Sequence, residues 1–369
     1  TPSKTKVQVT KKWDDANNQD GLRPASITVR LYKDGAPTDQ TLELSEANQW
    51  HGTFENLDVN AAGKALNYTV KEENVPEGYT LSIDDKDPAH PVLTNKHEPT
   101  VTQVKVTKKW DDANNQDGLR PKEIRVQLYA GDQKLGKEVV LSADNKWTHT
   151  FEKLAEKANG QDIHYSVKEV DVPEGYTVTE ESKEKGDVVL TNTHTPSTVD
   201  IPVTKIWVDN DNQDGLRPAK ITVKLLANGG EVARKDITSE TDWKETFTGL
   251  PKFKDGKEIV YTLQEEKVEN YSPSIDQENY TITNTHTPGK TTLSVTKQWD
   301  DQEDKDGLRP KSVKVQLYAD GKKSGEVIEL SAENKWTHTF ADLDKNVKGK
   351  AITYTVEEVD VPTGYQVTK

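Results

Sequence analysis

The sequence contains no cysteine and no methionine, and its apolar residues never form a long run. Without cysteine there is no disulfide, no thiolate nucleophile and no cysteine-based metal site. No apolar segment approaches the roughly 18 residues that a membrane-spanning helix needs. The chain also begins without Met and without a signal peptide, so we expect a segment of a longer chain or a processed product.

Basic residues are outnumbered by acidic ones. The chain has 49 Lys and Arg and 63 Asp and Glu, which gives a formal net charge of −14. This charge argues against a nucleic-acid partner, since phosphate binding needs clustered Lys and Arg. Only 32% of the residues are hydrophobic, a composition also found in disordered chains. Eight Trp, twelve Tyr and five Phe are too many for a disordered tail, so we expect folded domains with small cores.

One sequence pattern occurs four times. The motif Val-Thr-Lys-x-Trp starts at four positions: Val9, Val106, Val203 and Val295. Each copy continues with Gly-Leu-Arg-Pro, a second Trp and a Tyr-x-Val/Leu-x-Glu segment. The motif Lys residues lie 97, 97 and 92 positions apart, which is too long for a solenoid unit and fits a complete domain. We therefore predict four tandem domains, at residues 1–98, 99–195, 196–287 and 288–369.

Hydrophobic residues in each copy alternate with the period of two that is typical of half-buried antiparallel strands. Val7, Val9 and Trp13 alternate with polar residues, and no segment shows sustained helical periodicity. Several short strands in each copy predict an all-β chain of four β-sandwiches. The joints between copies are short and contain Pro, so we expect an elongated, monomeric rod with limited bending.

Three polar residues of the first copy occupy inward positions of predicted strands. Lys11 shares the parity of Val9, and Glu72 and Asn95 lie on the apolar faces of their own strands. Copies one and two carry adjacent Lys residues at this point, and the single Lys of copies three and four identifies the inward one. The trio recurs in two further copies, as Lys108, Glu169 and Asn192 and as Lys205, Glu265 and Asn284.

A cation, a carboxyl and an amide at matched inward positions allow two interpretations. One is a buried Lys–Glu ion pair with Asn as its hydrogen-bond partner, although such a pair often gives little net stability. The other is chemical, because burial favours the nucleophilic free amine of Lys. A protonated Glu can then polarise the Asn carbonyl and shuttle protons while ammonia leaves. The residues alone leave both interpretations open.

The four copies resemble the B-type domains of the staphylococcal collagen adhesin family, the Cna B-type domains. The matching motifs are Val-Thr-Lys-x-Trp, Gly-Leu-Arg-Pro, Tyr-x-Val-x-Glu, the Pro-Glu-Gly-Tyr of copies one and two, and a closing Leu-Thr-Asn. Together they cover nearly the whole chain. The resemblance implies prealbumin-like (Ig-like) β-sandwiches in the extracellular stalk of a Gram-positive, cell-wall-anchored adhesin or pilus. It also implies a spontaneous Lys–Asn isopeptide bond that a Glu assists.

Position by position, the resemblance implies three bonds: Lys11–Asn95, Lys108–Asn192 and Lys205–Asn284. The assisting proton shuttles are Glu72, Glu169 and Glu265. Each domain would react once with itself, so the chain is not expected to be an enzyme. Copy four has Lys297 and Glu358, but its Asn would fall beyond Lys369. We therefore expect the fourth domain to lack its closing strand and its site to be incomplete.

Other polar residues admit plainer roles. The Asp/Asn-rich segment after each first Trp, such as residues 14–21, offers oxygen ligands that suit Ca²⁺. It lacks the EF-hand Glu and equally fits a tight strand connection, so we assign no metal and no cofactor. The paired Trp residues of each copy are predicted to pack in the core or between strands rather than to form a sugar-binding platform. The joint histidines are predicted to pack or hydrogen-bond between domains: His97, His194 and His286.

Three functions can be compared with these observations. The first is a stalk that holds a separate adhesive domain, whose partner would be a host cell surface or extracellular matrix, with a pilin-like shaft as a variant. The second is a set of repeats that bind a host or matrix ligand themselves. The third, an enzyme, lacks any Ser/His/Asp arrangement, phosphate loop or metal motif. Near-uniform repeats favour the stalk, because a specific ligand site usually appears as one divergent copy.

Overall fold

Each repeat folds as two facing β-sheets in the computed structural model of the chain, which describes residues 3–183 and 186–369. These residues contain no α-helix, and their short 3-10 turns include Glu46–Asn48, Ala143–Asn145, Ser239–Thr241 and Ala332–Asn334. No helical segment of this described part is long and apolar enough to cross a membrane. The chain divides into two compact units, Thr1–Thr195 and Pro196–Lys369.

The described residues of the first domain form nine strands. They are β1 (Lys4–Asp14), β2 (Ser26–Lys33), β3 (Ala36–Ser45), β4 (His51–Asp58), β5 (Asn60–Ala61), β6 (Lys64–Ala65), β7 (Tyr68–Glu73), β8 (Thr80–Asp84) and β9 (Val92–Lys96). One sheet has the order β4-β1-β9-β8, the facing sheet has the order β3-β2-β7, and β5 and β6 form a separate hairpin. The first strand, β1, pairs antiparallel with β4 and parallel with β9, the last strand.

The second and third domains repeat this topology. The second has β10 (Val101–Asp111), β11 (Glu123–Ala130), β12 (Gln133–Ser142), β13 (Thr148–Ala155), β14 (Lys157–Ala158), β15 (Gln161–Asp162), β16 (Tyr165–Val170), β17 (Thr177–Ser182) and β18 (Val188–Thr193). The third has β19 (Thr198–Val208), β20 (Lys220–Ala227), β21 (Gly230–Thr238), β22 (Lys244–Pro251), β23 (Phe253–Lys254), β24 (Lys257–Glu258), β25 (Tyr261–Glu265), β26 (Ser272–Asp276) and β27 (Thr281–Thr285). The four-stranded sheets run β13-β10-β18-β17 and β22-β19-β27-β26.

In the fourth domain the sheet that contains the first strand has only two strands, and a separate hairpin also has two. Its strands are β28 (Lys290–Thr296), β29 (Ser312–Ala319), β30 (Lys322–Ser331), β31 (Thr337–Asp344), β32 (Asn346–Val347), β33 (Lys350–Ala351) and β34 (Tyr354–Val359). Its sheets run β28-β31 and β30-β29-β34. No strand occurs in residues 360–369, so β28 has no partner at the edge where β1 meets β9. The closing strand is absent from this domain, as the sequence predicts.

The core of each domain lies between the inner faces of its two sheets. Val9, Val29, Leu31 and Leu93 are at most 1% exposed, and they occupy the alternate positions that the sequence pattern selects. Burying one such side chain contributes about 1.5–3 kcal/mol. In the fourth domain the residue that corresponds to Val9, Val295, is only half-buried. The missing strand therefore leaves that core partly open.

A strained loop follows β1. Ala16, Asn17 and Asn18 have consecutive left-handed φ angles of 49°, 58° and 60°. This conformation costs roughly 1–2 kcal/mol for a residue with a side chain, although Asn tolerates it better than Ala does. The carboxylate of Asp15 holds the loop, because it accepts hydrogen bonds from Asn18 N at 2.9 Å and from the Arg23 guanidinium at 2.6 Å. The loop geometry is thus fixed by side-chain bonds.

Candidate crosslink site

The inward Lys and Asn of the first domain lie on neighbouring parallel strands. Lys11 on β1 is opposite Leu93 of β9, and Trp13 is opposite Asn95. Since side chains alternate along a strand, Lys11 and Asn95 share the inner face of their sheet. Lys11 is 3% exposed and Asn95 is 0% exposed. Both side chains therefore lie inside the core, where the alternation predicts them.

The carboxyl group comes from the facing sheet. Glu72 lies on β7, opposite Val29 of β2. Its Oε2 is 3.1 Å from Lys11 Nζ, and its Oε1 accepts a hydrogen bond from Asn95 Nδ2 at 2.8 Å. The side chains of Lys11 and Glu72 are fully buried. One carboxyl group thus contacts both the amine and the amide.

The second domain has the same arrangement. Lys108 Nζ lies 3.4 Å from Glu169 Oε2, and Glu169 Oε1 accepts a hydrogen bond from Asn192 Nδ2 at 2.9 Å. Lys108 Nζ also donates to the carbonyl oxygen of Lys109 at 3.2 Å. Lys108 and Glu169 have no exposed side-chain surface. The Lys amine again contacts one oxygen of the carboxyl group, and the Asn amide donates a hydrogen bond to the other.

The third domain differs in one detail. Lys205 Nζ lies 3.0 Å from Glu265 Oε1, and the same oxygen accepts a hydrogen bond from Asn284 Nδ2 at 3.2 Å. The Lys205 side chain is fully buried and that of Glu265 is 3% exposed. The carboxyl still contacts both groups, so three domains bring the predicted trio together.

Burial lowers the pKa of all three lysines. Desolvation is the largest cause, and it outweighs the opposing attraction of the neighbouring carboxylate. The pKa falls to about 8 for Lys108 and for Lys205. An exposed Lys has a pKa of about 10.4, so these two contain far more free amine at neutral pH. The free amine is the form that acts as a nucleophile.

The Asn side chains leave one polar atom unpaired. In the described part of the chain no hydrogen-bond donor reaches Asn95 Oδ1, Asn192 Oδ1 or Asn284 Oδ1, and all three atoms are buried. A buried polar atom without a partner costs about 1–3 kcal/mol. Three domains retain this cost at the same position, which is unexpected for residues that serve packing alone.

An aromatic ring closes one side of the site. Lys11 Nζ lies 4.5 Å from the centroid of the Trp13 ring. Trp13 in turn makes edge-to-face contacts with Trp50 at 5.2 Å and with Tyr79 at 5.1 Å. The prediction that the paired Trp residues pack within the domain is confirmed. Their contact with the Lys was not anticipated, although the Lys-x-Trp spacing of all four copies carried the signal.

The fourth domain holds an incomplete version. Lys297 Nζ lies 2.8 Å from Glu358 Oε2, and the two side chains are 13% and 4% exposed. No Asn of the described chain contacts this pair, and a groove of about 640 Å³ lies along β28 beside it. The amine and the carboxyl are present, and the amide is absent.

Asp15 and its partners were missed by the sequence reasoning. Its two carboxylate oxygens accept bonds from Arg23, from Asn18 N and from the Tyr79 hydroxyl at 2.7 Å. The corresponding carboxylates of the other domains do the same: Asp112, Asp209 and Asp301. These oxygens accept hydrogen bonds from groups of the protein. No group of three or more His, Cys, Asp or Glu in the described chain is arranged to bind a metal. The Asp-rich segment acts as a loop anchor.

Four tandem β-sandwiches, three of which bury a Lys–Glu–Asn trio between their sheets, define the class of this protein. Four segments match the family model of the Cna protein B-type domain, at residues 7–96, 104–193, 201–285 and 293–369. The chain belongs to the Cna B-type domain family.

Three proteins or protein segments of Staphylococcus aureus are similar to this chain. The chain is 44% identical to a collagen adhesin over 365 residues, which is 99% of this chain and 30% of that protein. It thus spans less than a third of the curated relative. A crystal structure of two B repeat units of the collagen-binding protein is also 44% identical, covering 99% of this chain and 95% of that one with a TM-score of 0.49. A single B repeat unit of the same surface protein is 39% identical, covering 53% of this chain and 100% of that one with a TM-score of 0.26.

Proposed function

We propose that this chain is a stalk segment of a cell-wall-anchored adhesin, on the outer surface of a Gram-positive bacterium. Membership of the B-type domain family and 44% identity to a staphylococcal collagen adhesin support the spacer role. The stalk is stiffened by Lys–Asn isopeptide bonds inside domains one to three. The observation that carries this proposal is the buried Glu carboxyl that contacts a Lys amine and an Asn amide in each of three domains.

The contacts in the first domain suit a proton shuttle. Glu72 Oε2 faces the attacking amine of Lys11, and Oε1 faces Nδ2 of Asn95, the leaving nitrogen. The neutral amine attacks Cγ of Asn95 while the protonated carboxyl delivers its proton to Nδ2. The Nζ–Cγ bond forms, the Cγ–Nδ2 bond breaks, ammonia leaves, and Glu72 recovers a proton from Nζ. The reaction consumes no external reagent and occurs once per domain.

Folding supplies the proximity for this reaction. The three groups come from two facing sheets and are separated by up to 84 positions in the sequence, so they meet only in the folded domain. Holding reactants in such an orientation can remove about 7–11 kcal/mol from a reaction barrier. The unfolded chain should therefore stay uncrosslinked.

Intact mass of the denatured chain tests the crosslink. Each bond expels one ammonia, so the chain should be lighter than its sequence mass by three ammonia molecules. Glu72→Gln should restore the mass of one of them. Glu358→Gln is the matched control, because its site lacks an Asn, and it should leave the deficit at three. A full sequence mass for the unmodified chain would refute the crosslink and leave the spacer role standing.

A binding test addresses the alternative that the repeats themselves contact host matrix. Collagen binding is named for the relative as a whole, and the chain covers 30% of that protein. We assign matrix contact to a separate adhesive domain, so this array should show no saturable binding to immobilised collagen or other matrix proteins. If saturable binding persists at physiological salt, the repeats themselves contact the matrix and the proposed division of roles is wrong.

A further inference from the structure

The histidine at the joint between the first and second domains is held at both ring nitrogens. His97 Nδ1 lies 2.8 Å from the carbonyl oxygen of Gly78, and Nε2 lies 2.8 Å from Asp20 Oδ2. A carbonyl oxygen and a carboxylate can only accept hydrogen bonds, and a neutral imidazole carries a single N–H. Both contacts are satisfied together only when His97 is the doubly protonated imidazolium.

The carboxylate of Asp20 connects this histidine to the next domain. Asp20 is 7% exposed. The Oδ2 atom that contacts His97 also accepts hydrogen bonds from Thr100 N at 2.9 Å and Thr100 Oγ1 at 3.2 Å. Thr100 directly precedes β10, the first strand of the second domain. One oxygen atom therefore ties the end of one domain to the start of the next.

A second contact closes the same joint. Gly160, in the turn between β14 and β15, donates its N–H to the carbonyl oxygen of Gln19 at 3.0 Å. A Cβ atom on Gly21 would lie 2.6 Å from Gly160 Cα, so the loop and the hairpin meet backbone to backbone. In the corresponding turn of the first domain, a Cβ added at Gly63 would have no described atom beyond its chain neighbours within 4 Å. The loop that Asp15 anchors thus presents Asp20 and the glycine contact together.

The joint between the third and fourth domains is built alike. His286 Nδ1 lies 2.9 Å from the carbonyl oxygen of Asn270, and Nε2 lies 2.9 Å from Asp214 Oδ2. The same Asp214 oxygen accepts a hydrogen bond from Gly289 N at 2.8 Å. Gly349 N donates to the third domain at 3.0 Å, as Gly160 N does to the first. Both joints thus combine a histidine, its carbonyl acceptor, an aspartate that bridges the two domains and a glycine N–H that donates to the preceding domain. The repetition of this arrangement argues that it has a function.

We propose that each of these two joints is a proton-operated clamp, which fixes the angle between adjacent domains while the histidine is charged and frees it when the histidine loses its proton. A neutral ring would turn a lone pair toward an acceptor oxygen and give up one of the two contacts. The clamp is independent of the isopeptide bonds. It would make stalk stiffness respond to the pH of the surroundings.

The surroundings of His97 favour its charged form. The hydrogen bond to Asp20 is the largest cause that raises the pKa of His97 above its ordinary value of 6.5. The titratable groups around this contact are Asp20, Asp15, Glu98, Tyr79 and, beside Asp20, Lys157. Because these contacts raise the pKa of His97, the imidazolium keeps both hydrogen bonds below pH 6.5. The charged form, and with it the clamp, is lost as the pH rises through the raised value.

Spin labels can measure the clamp directly, because the chain has no cysteine of its own. Thr41→Cys and Lys137→Cys place exposed labels on strands of the first and second domains. Pulsed electron–electron distance measurements on the full chain should give a narrow distribution near pH 5.5 and a broader one near pH 8.5. Nuclear magnetic resonance of the imidazole nitrogens should show His97 passing from imidazolium to neutral ring over the same interval.

Two variants make the test decisive. His97→Gln can still donate to Asp20 but has no titratable proton, so the width of its distribution should be the same at both pH values. His90→Gln alters an exposed histidine of the same domain and should keep the pH response of the parent chain. A parent distribution that does not change with pH, or a response that survives in His97→Gln, would overturn the clamp.

Discussion

At the scale of single residues, a shared proton governs the proposed crosslinking. Burial lowers the pKa of Lys108 and Lys205 to about 8. The reactive state needs a neutral amine and a carboxyl group that still holds a proton for the leaving nitrogen. The Lys–Glu pair therefore has to retain one proton between its members, and the Lys loses its proton as the pH rises through about 8.

This requirement predicts how the rate depends on pH. For domains two and three, ammonia loss should be independent of pH near neutrality and should slow about tenfold for each pH unit above about 8. The measurement is intact mass against time, after a chain synthesised and kept in denaturant is diluted into refolding buffers. A rate that continues to rise in alkaline buffer would mean that the carboxyl acts only as a base.

A single substitution should also reveal the stability that the bond provides. Lys108 and Asn192 are 84 positions apart, and the chain-entropy treatment of a covalently closed loop of this size gives about 4–5 kcal/mol. Glu169→Gln should therefore raise hydrogen exchange throughout the second domain, as measured by peptide-level mass spectrometry. Glu358→Gln breaks the same ion pair where no bond can form. If the two variants lose equal protection in their own domains, the second domain has no crosslink.

At the scale of strands and loops, alternation was sufficient to place the inward residues. The parity of Lys11 with Val9 identified a core position on β1, and the structure puts that side chain at 3% exposure. The contact of one Glu72 carboxyl with two partners could not be read from the sequence, because it depends on how two sheets face each other. The left-handed Ala16 was equally hidden, since its conformation is imposed by Asp15, whose partner Tyr79 is 64 positions away.

The backbone contact between the Asp15 loop and the next domain should be sensitive to any side chain added at Gly21. Gly21→Ala should open the first joint, because the added Cβ would lie 2.6 Å from Gly160 Cα. Hydrogen exchange of the Gly160 amide should then increase. Gly63→Ala is the control, because the φ of Gly63 is also left-handed at 79° but its added Cβ would have no described atom beyond its chain neighbours within 4 Å. If hydrogen exchange of the Gly160 amide is unchanged in Gly21→Ala, the loop and the hairpin do not contact each other in solution.

At the scale of the whole molecule, repetition made the architecture predictable. Four copies of one motif indicated four sandwiches, and the matched family segments and the sheet groupings confirm them. The joints were not predictable, because Asp20 and Gly160 are ordinary turn residues in their own domains and gain a role only when the domains meet. The sequence predicted that His97 contacts the next domain, whereas both of its hydrogen-bond partners, Gly78 and Asp20, lie in the first domain. Asp20 makes the bond to the second domain, through Thr100.

Pulling on the whole chain should expose the crosslinks. Lys11 lies in the first strand of its domain and Asn95 in the last, so a bond between them removes the 83 intervening residues from the path of the force. Without the bond each residue would extend by about 3.3–3.6 Å. Single-molecule stretching should show no long unfolding step for domains one to three and one step for domain four.

Variants of the same array control the stretching experiment. Glu72→Gln should add one long step, which assigns that step to the first domain. Three further long steps in the unmodified chain, one for each of domains one to three, would exclude a mechanical role of the bonds, whatever the mass measurement shows.

The position of Asn95 on β9, the last strand of its domain, also sets when the proposed bond could form. In a chain exported from its N-terminus, Lys11 and Glu72 would leave a secretion channel before Asn95. If the proposed bond forms during secretion, each domain would cross the membrane as an uncrosslinked chain and would close only after its last strand had emerged. Closure outside the membrane would then prevent the domain from sliding back, so export would become irreversible one domain at a time. A chain that ends before β9 should keep its full sequence mass.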